Sequence, residues 1–250
     1  MKDRSLRKTD PPPAGKGKAQ RSIFQKLAAV PHTVWTVMFI VAPMLFVLYF
    51  AFTDANGHFS LGNIADLKQY TNVFVLSIAF ALIATAVCLV IGYPLAYFMS
   101  RQSPKAQKIL MVLIMLPMWI NFLLRTYSWM SILENNGLLN RLFQSIGLID
   151  LYNRVFGTSL EFFPMLNTPG AVVLGMVYNY LPFMILPIYS VIVKLDHSLI
   201  EAARDLGADN IQVFRRVILP LSLPGVLSGI TMVFVPSVST FAISKMLGGG

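Results

Sequence analysis

The sequence predicts an all-α protein, a polytopic transmembrane helical bundle. Three observations carry this. The 250 residues are 56% hydrophobic with mean hydropathy +0.65. Charged residues make up 12% of the chain, about half the share of a soluble domain. The apolar residues fall in separate runs near the roughly 20 residues that cross a hydrocarbon core. A soluble fold of this size has no place to hide so much apolar surface behind so few charges.

In chain order, residues 1–30 are polar and basic, with Pro11-Pro12-Pro13 and Gly15-Lys16-Gly17-Lys18. They read as a disordered cytoplasmic arm, too long before the first apolar run for an ordinary cleaved signal peptide. The Gly-Lys pairs are no phosphate loop, since the glycine spacing and the leading strand are missing. The remainder, 31–250, reads as one membrane domain of about five spans. These run from about Thr33 to Phe52, Asn72 to Met99, Ile109 to Leu133, Ala171 to Val193 and Pro224 to Ile243. Pro43, Pro94, Pro117, Pro182, Pro187 and Pro236 lie inside them, which membrane helices tolerate. The chain stops at Gly248-Gly249-Gly250 just past a span, and a sixth span is expected beyond it.

Charge gives the orientation. The net charge of +9 could suggest nucleic acid. Yet eight of the twenty Lys and Arg residues lie in the first 26 positions, and most others flank apolar runs. Fifteen of the twenty fall in the arm, the 100–108 loop and the 194–216 loop. The positive-inside rule places those three segments in the cytoplasm and the 53–71 and 134–168 loops outside.

The loop 196–220 carries the most information. Ser198 and Glu201 have capping-box spacing for a first short helix. Gly207 suits the left-handed residue that ends it. Asp209 and Gln212 repeat the cap spacing for a second short helix, and Pro220 is expected to limit its length. Glu201-Ala202-Ala203, then Gly207, then Ile218-Leu219-Pro220 resemble the "EAA" loop of binding-protein-dependent ABC importer permeases. The resemblance implies the ABC importer permease (MetI-like) fold, with 196–220 as a coupling loop that docks into a cytoplasmic ATPase. Glu201, Ala202, Ala203, Arg204, Asp205, Gly207 and Pro220 would form it. Ala202 and Ala203 allow close approach, and Glu201, Arg204 and Asp205 offer charge to a polar groove.

The resemblance extends from about residue 33. Asn121-Phe-Leu-Leu-Arg125-Thr-Tyr-Ser-Trp129 and Asn136-Gly137-Leu138-Leu139-Asn140 are similar to the permeases of spermidine/putrescine importers. The basic arm and the long outer loop match their B-type subunit. The resemblance implies a multi-pass protein of the bacterial inner membrane with a cytoplasmic N-terminus. It also implies a second homologous permease, two cytoplasmic ATPase subunits that bind ATP and Mg, a periplasmic substrate-binding protein, and a polyamine cargo. The chain itself would be non-catalytic and hold no cofactor.

The residues agree with a non-enzymatic role. No nucleophile-base arrangement or nucleotide loop is visible, and His32, His58 and His197 lack metal-ligand spacing. Cys88 is alone in an apolar run and reads as a small packing residue. No acidic residue lies mid-span, so a cation meets no buried counter-ion there. Candidates for the pathway are Trp119, Asn121, Tyr127, Trp129, Tyr178, Asn179 and Tyr180. Aromatic faces attract cations, although Trp and Tyr also anchor membrane interfaces. Asn121 and Asn179 are polar groups within apolar sequence, suited to bridging helices or touching cargo. Arg125 is expected to snorkel to the outer interface or to pair with Glu134. An importer for ferric ion or another small solute, a passive channel, and a membrane-embedded enzyme are the alternatives.

Overall fold

A computed structural model describes residues 23–54 and 57–248. Its elements are helical throughout, apart from one isolated bridge between Thr53 and Phe59. Residues 1–22 of the basic arm lie outside the described residues. The chain divides into two compact units, residues 1–70 and 71–250.

The first unit begins with α1 (Ile23–Thr36), so helix starts inside the segment read from composition as arm. A π-helical turn, Val37–Val41, leads into α2 (Ala42–Ala51). Pro43 explains the turn. A proline lacks an N–H and collides with the carbonyl four residues back. Widening the preceding turn, with the Ala42 N–H on the Val37 carbonyl, absorbs both defects. The span Val30–Ala51 has no buried residue, and Phe39, Phe46 and Phe50 are exposed as lipid would require. A short α3 (Gly62–Ala65) and a 3₁₀ turn (Asp66–Tyr70) close the unit. Asn63 ties them back by donating to the Phe50 and Thr53 carbonyls at 2.9 and 3.0 Å.

The second unit is built on three long helices, α4 (Thr71–Ser100), α9 (Pro169–Ile192) and α12 (Leu219–Ser239), which pack on one another. Small residues make the close packing possible. α4 turns Ala81, Ala84, Cys88, Gly92 and Ala96 inward at helical spacing. α12 turns Ser222, Gly225, Gly229 and Ser237 inward. Between them α9 inserts Met184, Ile185 and Ile188, all buried. A Cβ on Gly92 would sit 3.0 Å from Met184 Cγ, and one on Gly229 2.8 Å from Met184 Sδ. Lipid tails are as apolar as leucine, so helices associate by such packing, with few buried polar bonds. One such bond joins Tyr93 Oη to Ser222 Oγ at 2.8 Å.

Two apolar runs differ from their sequence reading. The run Ile109–Leu133 is no straight span. α5 (Pro104–Met115) tightens into a 3₁₀ turn at Leu116–Trp119 beside Pro117, Ile120 is extended, and α6 (Phe122–Leu133) restarts. The helical arms meet at 88°. Asn121 is the cause of the restart. Its side chain accepts from the Leu123 and Leu124 N–H groups at 2.9 and 3.4 Å, satisfying donors that a fresh helix leaves open. The last run likewise ends as one helix at Ser239, before Ile243. Thr240 leaves the helical conformation and α13 (Phe241–Gly248) follows, packing on α9 and α6.

Between α6 and α9 lie α7 (Leu138–Ser145) and α8 (Leu148–Phe156). Two asparagines hold this segment. Asn140, 2% exposed, donates to the Phe163 carbonyl at 3.0 Å and accepts from the Phe163 N–H at 2.9 Å. Asn153 does the same around Leu160. Gly137 has no room for a Cβ, which would meet the Ile132 carbonyl at 2.5 Å. The motif around Asn136–Asn140 therefore serves a backbone fold.

Candidate functional site

The loop after α9 contains α10 (His197–Asp205) and α11 (Asn210–Val213). The cap of α10 is Asp196, two residues earlier than the Ser198–Glu201 spacing suggested. Asp196 accepts from the Ser198 N–H at 2.9 Å. That bond, with the Ser198 side chain, holds its carboxyl below the usual carboxylate range. Asp wins the cap because its carboxylate also answers the partial positive charge of the helix start.

The end of α10 is a Schellman motif. The Ala208 N–H donates to the Ala203 carbonyl at 3.0 Å and the Gly207 N–H to the Arg204 carbonyl at 2.8 Å. Gly207 is left-handed at φ +84°, the conformation its sequence position required. The Asp209–Gln212 capping box is present in both directions, at 2.7 and 3.3 Å. The helix it opens does not stop at Pro220. A π-helical turn, Phe214–Ile218, carries α11 into α12, with the Leu219 N–H on the Phe214 carbonyl. As at Pro43, widening the turn before the proline removes the clash, so Asn210–Ser239 runs through. Phe214 rests edge-on against Tyr93 and Tyr97 of α4, at 5.8 and 5.2 Å.

The two faces of α10 differ. Ile200 and Ala203 pack on the core, and His197, Glu201 and Arg204 border a cleft of about 440 Å³. The opposite face carries Leu199, Ala202, Asp205 and Leu206, all exposed. Leu206 is 89% exposed and Ile211 nearby 68%. An apolar knob on a polar loop invites a partner surface. Sequence reading passed over Leu206 and Ile211 because only the Schellman turn shows which way they point. Of the sequence-derived loop residues, Ala202 and Asp205 lie on this outer face, while Glu201 and Arg204 turn to the cleft. Pro220 sits inside the long helix.

The pathway candidates are scattered. The structure brings together Trp129 of α6 and Tyr178 of α9, edge to face at 5.3 Å. Tyr180 packs between the two core clusters of the unit. Trp119 and Tyr127 are exposed at 80% and 58%. Asn121 is a helix cap rather than a bridge between helices. Asn179, 2% exposed, donates to the Gly175 carbonyl of its own helix at 2.8 Å, and its Oδ1 is buried without a partner. Arg125 corrects one half of its expectation. Its Nε and Nη1 are buried without partners, and no pair with Glu134 forms. Glu134 lies nine positions on, about 13 Å along the axis, and caps the far end of α6. Among the described residues no three His, Cys, Asp or Glu side chains are grouped to hold a metal.

A family model described as "Binding-protein-dependent transport system inner membrane component" matches residues 89–250. The chain is 40% identical over 234 residues to the spermidine/putrescine transport system permease protein PotB of Haemophilus influenzae, covering 90% of this chain and 78% of that one. It is 38% identical over 223 residues to PotB of Escherichia coli, covering 86% and 78%. Among solved structures it is similar to a bacterial alginate ABC transporter in complex with an alginate pentasaccharide-bound periplasmic protein. The TM-score is 0.62 at 18% identity, covering 82% of this chain and 69% of that one. At that identity the likeness is one of fold.

Proposed function

The chain belongs to the family of binding-protein-dependent transport system inner membrane components, and from that membership we propose that it is the permease subunit of an ATP-driven importer of spermidine and putrescine. The observation that carries the cargo is the 40% identity to a spermidine/putrescine permease over 90% of the chain. The helices of the second unit form part of the translocation pathway. The loop 196–220 is the coupling loop. Its outer face, with Leu206 at the tip, enters a groove on an ATPase subunit, and Gly207 holds the turn that presents it.

A second, homologous permease completes the pathway, and two ATPase subunits bind ATP and Mg below it. A periplasmic binding protein docks on the outer segment built on Asn140 and Asn153. The N-terminus is cytoplasmic. The chain contributes no catalysis of its own. ATP-driven movement of α10 reaches α4 through Phe214, and α12 through the continuous helix Asn210–Ser239. A ligand-biased two-state equilibrium then exchanges outward-open and inward-open arrangements. Trp129, Tyr178 and Asn179 offer a cation aromatic ring faces and an unspent carbonyl oxygen beside the path.

The test is uptake of radiolabelled spermidine and putrescine by cells lacking this chain and complemented with it. Wild type restores uptake. Leu206→Asp, expressed to the same level in the membrane, loses it at least about tenfold, since a charge buried where the leucine seats on its partner costs well over the 1.4 kcal/mol of one decade. Wild type that restores neither polyamine removes the cargo assignment. Full uptake by Leu206→Asp removes the coupling assignment.

A further inference from the structure

α8 carries an apolar stripe that the second unit leaves uncovered. Gly147 and Gly157, left-handed at φ +72° and +66°, turn the chain into and out of this helix. Asp150 in its first turn and Arg154 in its last answer the helix dipole. Ile149 is buried against the protein. Leu148, Leu151, Tyr152, Val155 and Phe156 are exposed. They stand at i, i+3, i+4, i+7 and i+8, the spacing of a single helix face. Leu151 is 59% exposed, Val155 67% and Phe156 65%. Asp150 and Arg154 are exposed too, and at 3.6 residues per turn they fall on the side opposite the stripe.

The helix is tied to the end of a spanning element. α9 has 24 residues, long and apolar enough to cross a membrane, so its first turn marks one boundary of the hydrocarbon. Leu139 of α7, with Met165 and Leu166 of the segment leading back to α9, packs in one cluster with Ala171 and Val172 of that turn. α8 is fixed to the same segment. The Tyr152 ring meets the Phe163 ring edge to face at 5.2 Å, and Asn153 bonds both backbone groups of Leu160. We propose that α8 lies in the membrane–water interface, with Leu148, Leu151, Val155 and Phe156 among the lipid acyl chains and Asp150 and Arg154 turned to water. An apolar stripe backed by charge is what holds a helix in that plane, and the Tyr152 ring suits headgroup level. A face of nine residues is far less than an apolar, obligate protein interface buries, so lipid is the cover it fits. The charged side of α8 stays open to a docking partner. The inference rests on α9 spanning the membrane and is independent of the cargo.

The full chain, purified with the subunits that accompany it, is reconstituted into bilayers of phosphatidylethanolamine and phosphatidylglycerol. Asp150→Cys, Leu151→Cys, Arg154→Cys and Val155→Cys each carry one nitroxide label. All four positions are exposed, so no packing is lost. Cys88 is buried and stays in place, with label-treated wild type as the background. Relaxation of the nitroxide by oxygen, which concentrates in lipid, is compared with relaxation by a water-soluble nickel chelate. The labels at 151 and 155 favour oxygen and lie about 5–10 Å below the headgroup level. Those at 150 and 154 favour the chelate. Chelate access at 151 and 155 equal to that at 150 places the stripe in water and overturns the proposal. Labels at 151 and 155 shielded from both reagents reveal a protein cover and overturn it as well. Lost uptake with the two-sided pattern intact supports the interfacial helix and counts against the transport reading alone.

Discussion

Single residues divide into those whose job is local and those whose job is set by a neighbour far along the chain. Gly207, Asp209 and Gln212 are of the first kind, and their roles follow from spacing alone. Asp196 is nearly so. The spacing points to Ser198, and the structure puts the cap two residues earlier at Asp196. Asp196→Ala is expected to loosen α10, seen as faster tryptic cleavage after Arg204 at neutral pH, whereas Asp196→Asn keeps the cap and the wild-type rate. The pH dependence has a definite sign. The folded carboxyl titrates below its usual range, so its contribution is complete above that range and is lost only as pH falls through the folded value. Uptake between pH 5 and 8 should therefore show no step that depends on Asp196. Arg125 and Leu206 are of the second kind. The buried Nε and Nη1 of Arg125 and the exposed side chain of Leu206 set them apart.

Elements show how packing decides what propensity leaves open. Three glycines line the contact among α4, α9 and α12, and their neighbours rank them. A Cβ on Gly225 would lie 2.9 Å from the Pro187 carbonyl oxygen and 3.1 Å from Ile188 Cα, both rigid backbone. One on Gly92 meets the flexible Met184 side chain. Gly225→Ala should thus destabilise the solubilised chain by about 1–3 kcal/mol, as overpacking does. Gly92→Ala should be near neutral, since a shifted Met184 is offset by the better helix propensity of alanine. Thermal melting of the two variants in detergent checks the order, and equal melting points would refute it. The π turns before Pro43 and Pro220 make the same point from the backbone side. A proline in the sequence marked a possible stop, and the widened turn let the helix continue.

At the scale of the fold, the second unit combines a tightly packed three-helix centre with elements that turn sharply. The break at Ile120–Asn121 leaves backbone groups outside helical ladders in the middle of an apolar run. Opening there should cost less than opening the centre. In detergent, amides of residues 118–123 are expected to exchange at least about tenfold faster than those of 184–186 and 188. Equal protection would mean that the break is packed as firmly as the core.

The sequence by itself determined the class, most of the runs of spanning length, and the two short helices of the 196–220 loop with the Gly207 turn between them. Each rests on composition or on contacts within one helical turn, which a linear reading contains. Only the tertiary structure decided that Ile109–Leu133 folds at 88° and that Asn210–Ser239 runs through Pro220. It also decided that Glu201 and Arg204 turn to a cleft while Leu206 faces away. The reason is physical. In lipid every span is apolar, so hydrophobic periodicity no longer marks the inward face. That face is chosen by how closely Gly92, Met184 and Gly229 interlock across α4, α9 and α12, three helices far apart in the chain.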